Sequence, residues 1–239
     1  MGESEEMIPK VGNTSIPFVN VDLEDAIEEM PQIIKEYATG FYLNKRLIKT
    51  ILYSNDVTVI SNTDADAILN VYPYTPNTRI LQAVSLVATS SIIFAGIGGG
   101  LTNGVRSARL GVFAEEHGAR AVVLNGPTDL ETVLEVDKRV RLPIIYTVVN
   151  DNSMLQDFVD AGVQIFNVAA GIETARLVKK IRKQFPDMAI IASGGKNEEQ
   201  ILETIRSGAN AITITDDGFS RRRFAEKMGH YREQQRKGK

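Results

Sequence analysis

The chain has 239 residues, and 43% of them are hydrophobic, which is enough to bury a large core without disulfides or metal ions. With 27 Lys and Arg against 30 Asp and Glu, the net charge is −3, so we expect no nucleic-acid partner and no anionic membrane surface. The sequence contains no cysteine and two histidines. It therefore excludes a disulfide scaffold, a thiolate metal site, a cysteine nucleophile and a three-histidine metal site within one chain.

The sequence shows no sign of membrane insertion or export. No apolar run reaches the 18 residues that a spanning helix needs, and the first ten residues, MGESEEMIPK, are acidic rather than basic. We therefore expect a cytoplasmic protein with no membrane partner.

Eight short runs rich in β-branched residues repeat between residues 57 and 216, each followed by an amphipathic stretch. From the second run onward the starts are 25, 29, 23, 20, 25 and 22 residues apart, which is the length of one strand, one helix and two short loops. The predicted strands are Val57–Ile60, Ala67–Tyr72, Ile92–Gly96, Ala121–Leu124, Ile144–Val148, Gln164–Val168, Ala189–Ala192 and Ala211–Ile214.

Three of the intervening stretches have clear helix signals. The run beginning Thr128-Asp129-Leu130-Glu131 has a capping pattern before residues at helical spacing. Ile172–Phe185 carries one apolar face and is followed by Pro186, and Glu198–Arg206 is followed by Gly208, a suitable C-terminal glycine.

Strands that are apolar on both faces and alternate with helices indicate a parallel sheet covered by helices. A leucine-rich solenoid lacks its signature here, and an open dinucleotide-binding sheet would need a glycine fingerprint after its first strand. Eight strand–helix units therefore predict an α/β fold, the closed (β/α)8 or TIM barrel, in which ligands bind at the loops that follow the strands.

The first unit is irregular. The interval between Ile60 and Ala67 is too short for a crossover helix, which takes about a dozen residues. We therefore expect a short or missing first crossover helix: either it is reduced to a loop, or the first strand lies earlier, at Ile16–Asn20 or Leu47–Tyr53.

The N-terminal part is predicted as a helical extension, residues 1–54, before a barrel over 55–235. Its predicted helices, Leu23–Tyr37 and Leu43–Tyr53, would lie across the barrel bottom or in a subunit contact, so a homo-oligomer is a hypothesis. A last helix from Phe219 to about Gln235 leads into a basic tail, residues 236–239.

A strand end with two glycines is the most informative motif. In "IIASGGKNEEQILETIRSGANAITIT" the glycine pair and the following helix N-terminus could converge on an anion. This run resembles the seventh and eighth strands of phosphate-binding TIM barrels, a superfamily that includes the histidine-biosynthesis isomerases, indole-glycerol-phosphate synthase and IMP dehydrogenase. The resemblance implies a phosphate site at Ser193, Gly194, Gly195 and Lys196, with Gly218 in the second loop.

The second loop departs from that pattern, because Asp216-Asp217 stands where those families usually have Gly-Ser or Gly-Thr. Two carboxylates would repel a phosphate. A second resemblance, carried by "DADAILNVYPYTP", "GIGGGLTNG" and "IFNVAAG", is to an uncharacterised bacterial barrel family sometimes labelled hydrolase, and it implies no mechanism.

A glycine-rich loop follows the predicted strand Ile92–Gly96. Four glycines in seven residues indicate unusual backbone angles or a close approach to another group. The loop is either a second nest of donors for an anion or merely flexible. Its candidate binding residues are Gly98, Gly99, Gly100, Thr102 and Asn103, with Arg106 in the next helix.

Asn125 and Asn167 end apolar runs, where a buried amide needs partners in the protein or in a ligand. They predict a neutral, hydrogen-bonding mouth that recognises hydroxyl or carbonyl groups. For each one alone, a local loop hydrogen bond is the alternative.

Asp64 and Asp66, in "NTDADA" after the first predicted strand, form the best carboxylate pair. They could hold Mg²⁺ or supply a general base, and the alternative is that they are simply solvated. Asp216 is the third candidate catalytic carboxylate.

These observations lead to three functional hypotheses. The first is an isomerase, lyase or hydrolase that binds a small phosphorylated or anionic metabolite and uses carboxylate acid–base chemistry. The second is a non-catalytic sensor similar to the glycerol-3-phosphate-responsive antiterminator, and the third is an FMN-binding oxidoreductase.

Overall fold

The structure, a computed structural model, describes residues 27–71, 77–151 and 154–236. Its strands are β1 (Phe41–Leu43), β2 (Arg46–Ile48), β3 (Thr50–Tyr53), β4 (Ala67–Asn70), β5 (Ile92–Gly98), β6 (Ala121–Asn125), β7 (Ile144–Val148), β8 (Val163–Val168), β9 (Ala189–Ser193) and β10 (Ala211–Thr215). Its helices are α1 (Gln32–Tyr37), α2 (Val57–Ser61), α3 (Thr78–Val87), α4 (Gly104–Glu116), α5 (Leu130–Asp137), α6 (Leu155–Asp160), α7 (Thr174–Gln184), α8 (Glu198–Arg206) and α9 (Phe219–Arg236).

Strands β3 to β10 form a closed parallel barrel, because β10 pairs back to β3. The α/β TIM-barrel prediction is therefore confirmed. Along each strand, alternate side chains enter the barrel interior or the layer between strands and helices. The interior is filled by residues such as Leu69, Phe94, Ile145 and Ile191.

The first barrel strand differs from the main prediction. Val57–Ile60 is helical, because the Asp56 side chain accepts a hydrogen bond from the Thr58 N–H and starts α2. The first strand is β3, which lies within the alternative Leu47–Tyr53. The expected short first crossover helix is confirmed, since α2 has five residues. The other seven predicted strands are confirmed; Tyr72, at the end of the second run, lies outside the described residues.

The second N-terminal segment covers the barrel bottom, which is one of the two predicted locations. Its predicted helical structure is wrong. Residues 41–48 form an antiparallel hairpin instead of a helix, with Asn44 at the turn in a left-handed conformation (φ 56°). Phe41, Leu43 and Ile48 pack against the interior core from below.

The predicted division at residues 54 and 55 is therefore corrected, since β3 lies in the predicted extension and belongs to the barrel. Of the predicted helix Leu23–Tyr37, Gln32–Tyr37 is helical, and residues 23–26 lie outside the described part. The last helix reaches Arg236; residues 237–239 of the predicted tail lie outside the described part. The homo-oligomer stays a prediction.

The predicted helix signals are confirmed at α5 and α8. Asp129 accepts a hydrogen bond from the Thr132 N–H at 2.7 Å, and Gly208 adopts a φ of 112° after α8. In the third case, a short 3-10 turn, Gly171–Glu173, precedes α7, so the α-helix begins later than predicted. No helix of the described residues is long and apolar enough to cross a membrane.

Candidate functional site

A cavity of about 270 Å³ opens at the carboxyl ends of the barrel strands, the face where this fold binds ligands. We call it the mouth cavity. Its wall combines hydroxyl and amide side chains with apolar side chains. The lining residues are Tyr53, Leu69, Val71, Asn125, Thr147, Asn167, Ala169, Ser193, Thr213 and Thr215.

Strand pairing brings the polar lining residues side by side. Thr147 on β7 is in register with Asn125 on β6 and with Asn167 on β8. Ser193 on β9 is in register with Thr213 on β10. The polar wall therefore runs over five neighbouring strands. The prediction that Asn125 and Asn167 lie at a neutral mouth is consistent with this placement.

Two buried oxygen atoms on this wall have no hydrogen-bond partner within the described part of the chain. They are Oδ1 of Asn167 and Oγ1 of Thr213, on side chains of residues that are 5% and 8% exposed. The Asn167 amide nitrogen donates to Thr147 Oγ1 at 3.2 Å, so one end of the amide is bonded and the other is not. Buried polar atoms without a partner are rare and costly, which makes this pair the strongest indication of a ligand.

The mouth cavity carries no formal charge on its lining residues. Tyr53 is its one titratable side chain, and the lining includes no Asp, Glu, Lys, Arg or His. A phosphate or carboxylate would find hydroxyl and amide groups there, but no counter-charge on the wall.

The glycine pair after β9 has a packing role in the structure. A Cβ at Gly194 would lie 2.6 Å from Cγ2 of Ile212, so only glycine fits between β9 and β10. The Gly194 N–H donates to the Thr213 carbonyl at 3.1 Å. Gly195 adopts a φ of 84°, with Gln200 packed where a side chain would be.

The start of α8 is already capped by its own residues. The Lys196 N–H donates to Gln200 Oε1 at 2.7 Å, and the Asn197 side chain accepts from the Gln200 N–H at 3.0 Å. Glu198 and Glu199 stand in the first turn, where they take the favourable place of an anion. The predicted phosphate site at Ser193–Lys196 stays a prediction, and two of the donors it would use, the Gly194 and Lys196 N–H groups, bond to protein acceptors.

The loop after β10 is acidic and folded on itself. Asp216 accepts hydrogen bonds from Ser54 Oγ at 3.0 Å and from the Gly218 N–H at 2.8 Å, and Asp217 forms an ion pair with Arg222. Burial raises the pKa of the nearby Glu28, and the charges of Asp217 and Asp216 raise it further against the opposing effect of Arg222. The rim thus carries carboxylates, as the departure from the phosphate-barrel pattern indicated, with arginine side chains beside them.

The glycine-rich loop between β5 and α4 is fixed by hydrogen bonds from three of its N–H groups, which are therefore not available to an anion. The amides of Gly99, Gly100 and Gly104 donate to Thr102 O, Pro127 O and Thr132 Oγ1. Those protein acceptors use the donors that an anion would need.

The close packing of this loop explains its composition. A Cβ at Gly98 would lie 2.2 Å from Ser107 Oγ, and one at Gly99 would lie 2.2 Å from the Asn125 carbonyl oxygen. Thr102 is buried and the Asn103 amide donates to the Gly100 carbonyl at 3.0 Å. None of these candidate residues lines the mouth cavity.

The placement of Asp64 and Asp66 after a strand is wrong. Because Val57–Ser61 is a helix, both carboxylates lie in the loop that precedes β4, at the opposite end of the barrel from the mouth cavity. Asp66 Oδ2 accepts from the N–H groups of Lys49 and Thr50 at 2.9 Å each, and Asp64 pairs with Lys35. Both carboxylates hold the barrel bottom together.

A divalent metal finds no ready ligand set in the described part of the chain. No three His, Cys, Asp or Glu side chains of those residues come together, and Mg²⁺ is usually held by one or two carboxylates. The mouth cavity offers hydroxyl and amide oxygens but no carboxylate, so its residues do not fit a resident Mg²⁺.

Sequence reasoning named the hydroxyl side chain of Ser193 on the wall but missed the other four. The missed side chains lie at inward-facing positions near the carboxyl ends of their strands, two or four residues after core residues such as Ile145 and Ala211. They are Tyr53, Thr147, Thr213 and Thr215. Period-two alternation from the strand centre would have found them.

A second cavity of about 500 Å³ lies outside the barrel, between the β6–α5 loop and α6. The stacked rings of Tyr146 and Phe158 form part of its wall, with centroids 4.3 Å apart. It shares Thr147 with the mouth cavity.

No protein-family model matches the chain, and no curated protein matches it either. Solved structures match its fold. Phosphonopyruvate hydrolase in complex with oxalate and Mg²⁺ is 13% identical with a TM-score of 0.58, over 80% of this chain and 83% of that chain.

Two further similar structures are enzymes of other chemistries. The 2,3-dimethylmalate lyase of the PEP mutase/isocitrate lyase superfamily is 11% identical with a TM-score of 0.57, over 86% of each chain. Mandelate oxidase is 13% identical with a TM-score of 0.61, over 76% of this chain and 69% of that chain. At such identities the likeness establishes a TIM-barrel fold alone.

Proposed function

We propose that this chain binds a small polar metabolite in the mouth cavity, and that binding, rather than proton transfer, is the task of the site. The observation that carries the proposal is the uncharged wall with two buried oxygens, on Asn167 and Thr213, that have no partner in the described protein. An unpaired buried acceptor costs about 1–3 kcal/mol, a cost that a bound ligand removes.

The same wall favours the sensor hypothesis over the enzyme hypotheses. Acid–base catalysis needs a titratable group within reach of the substrate, and the lining residues supply Tyr53 alone. An FMN-binding oxidoreductase has less support, because two of the loop donors that would hold its phosphate, the Gly194 and Lys196 N–H groups, bond to protein acceptors.

A carboxylate enzyme is the second candidate, and one observation favours it. Asp216 directly follows Thr215, a lining residue, and Ser54 Oγ holds its carboxylate at 3.0 Å. A rotation of this side chain would bring a general base to the rim, as in an isomerase, lyase or hydrolase. The phosphonopyruvate hydrolase structure, with its oxalate and Mg²⁺, is consistent with such chemistry on an anion, although the mouth cavity lacks the carboxylates for the ion.

A ligand screen with three variants tests the proposal. Unfolding is followed with and without a panel of neutral and anionic small metabolites, and a ligand at 100 times its Kd should stabilise the wild type by about 2.7 kcal/mol. Asn167→Leu should abolish this stabilisation, and Asp216→Asn should preserve it. Asn103→Leu, an exposed asparagine of the glycine-rich loop, is the matched control and should behave as wild type.

Two results would contradict the binding function. Stabilisation that survives Asn167→Leu would place the ligand elsewhere. Chemical conversion of the ligand that Asp216→Asn abolishes, without loss of affinity, would establish the carboxylate enzyme instead.

A further inference from the structure

We infer that the ligand of the mouth cavity is an uncharged polyhydroxylated molecule, a free sugar or sugar alcohol, and not its phosphate ester. The inference rests on the proposed binding function and names the ligand class of the same site. It follows from the hydrogen-bonding needs, the charge and the shape of the wall.

The first need is a donor for Asn167. Its Nδ2 already donates to Thr147 Oγ1, so the amide atom without a partner is Oδ1, which can only accept. A carboxylate, a phosphate dianion or a ketone group offers no hydrogen to it. A hydroxyl group does.

The second need is a partner for Thr213 Oγ1 that can act in either direction. A threonine hydroxyl both donates and accepts, and a ligand hydroxyl matches it whichever role it takes. Asn167 lies on β8 and Thr213 on β10, with β9 between them, so one hydroxyl cannot serve both strands at the same level of the barrel. The ligand therefore needs at least two hydroxyl groups.

The lining of the mouth cavity carries no charge that could balance an ionic form of such a ligand. Burying a phosphate or an ammonium requires a counter-charge, and the lining residues have none. Two loop donors that could replace a counter-charge are occupied, since Gly194 N–H donates to Thr213 O and Lys196 N–H donates to Gln200. At the rim Asp216 is a carboxylate, whereas Asp217 is paired with Arg222.

The apolar part of the wall fits the carbon skeleton of a polyol. Leu69 and Val71 lie on β4 or directly after it, across the barrel from the polar side chains of β6 to β8. Hydroxyl groups can face one side while C–H groups pack on the other. A cavity of about 270 Å³ is near the small end of ligand pockets, which suits a molecule of five or six carbon atoms.

The experiment compares free polyols with their phosphate esters. Xylitol, sorbitol, D-ribose, D-glucose and myo-inositol are titrated into the full chain by calorimetry, and so are ribose 5-phosphate, sorbitol 6-phosphate and glucose 6-phosphate. We expect saturable binding of at least one free polyol, with its ester at least tenfold weaker.

Two substitutions at one position supply the control. Thr213→Val keeps the shape and removes the hydroxyl, and we expect at least a tenfold loss of polyol affinity together with an unchanged or raised Tm of the free protein. Thr213→Ser restores a hydroxyl and should restore binding to within a few-fold. A general packing defect would instead lower the Tm and would not be rescued.

The outcomes separate this inference from the proposed function. An ester that binds more tightly than its free polyol, and whose binding Asn167→Leu abolishes, overturns the polyol class and keeps the binding site. Ligands of other chemistry that depend on Asn167, with all five polyols inert, have the same meaning. No dependence on Asn167 or Thr213 for any ligand overturns both.

Discussion

The two ends of the barrel use polar residues in opposite ways. At the bottom, charged side chains are matched to partners. Arg182, for example, donates to the carbonyls of Gly208, Pro186 and Met188 at 2.7–3.1 Å. At the mouth, the wall is uncharged, and buried oxygens of Asn167 and Thr213 have no partner in the described chain. Charged groups therefore support the structure at the bottom, whereas the wall of the candidate site combines neutral groups with two of the buried unpaired atoms of the described residues.

The bottom should respond to mutation through stability alone. Asp66→Ala leaves the N–H groups of Lys49 and Thr50 without their acceptor at the start of β3. We expect the free energy of unfolding to fall by about 3 kcal/mol, because two backbone donors lose a charged partner. Urea unfolding measures the change.

The control for that variant is Asp157→Ala, an exposed carboxylate of α6 that should change stability by no more than about 0.5 kcal/mol. Ligand affinity at the mouth should stay unchanged in Asp66→Ala under conditions where it is folded. A selective loss of affinity or activity would restore the catalytic role that the sequence suggested and would end the contrast between the two ends.

The glycine pair at the mouth gives the next largest effect. In Gly194→Ala the new methyl group would lie 2.6 Å from Ile212 Cγ2 and 3.1 Å from Ile214 Cδ1. We expect a loss of about 2 kcal/mol in unfolding free energy from this overpacking. Lys196→Ala, two residues on and exposed, should be near neutral.

Repeating the unfolding experiment with inorganic phosphate distinguishes a phosphate clamp from a packing role of Gly194. A phosphate clamp predicts that phosphate raises the Tm of the wild type and that both substitutions abolish the effect. Our interpretation of Gly194 as a packing residue predicts no specific effect of phosphate in either protein.

Most of the barrel could be predicted from the sequence because its strands are buried on both faces and recur at a regular interval. The failures came where a short apolar run has no periodicity to distinguish helix from strand. Val57–Ile60 is β-branched, yet Asp56 caps it as a helix, and Phe41–Ile48 has turn chemistry at Asn44 that outweighs its apolar pattern. The error at Val57–Ile60 placed Asp64 and Asp66 at the wrong end of the barrel.

The site was only partly predictable for a different reason. Asn125 and Asn167 were found because an amide at the end of an apolar run is conspicuous. The threonines of β7 and β10 were missed because threonine is also a common strand residue. The binding role of the glycines stays a prediction, while close packing at Gly98, Gly99 and Gly194 is explained by distances to Ser107, Asn125 and Ile212 that no single sequence displays.

The smallest expected effect concerns Glu28, near the acidic rim. Burial and the charge of Asp217 raise its pKa in the folded state above the unfolded value. The proton on Glu28 therefore stabilises the fold. This contribution is fully present below the unfolded pKa and is lost as pH rises through the folded pKa.

Glu28→Gln should remove the loss of stability that the wild type shows as pH rises through the folded pKa of Glu28. We expect the variant to equal the wild type at about pH 4 and to exceed its unfolding free energy at about pH 7 by less than about 1 kcal/mol, since the group is partly solvated. Urea midpoints at the two pH values measure the difference, and Glu29→Gln, at an exposed neighbour, is the control. A variant less stable at neutral pH would mean that Arg222 outweighs Asp216 and Asp217. The rim would then attract anions, and the phosphorylated ligands would regain their place as candidates.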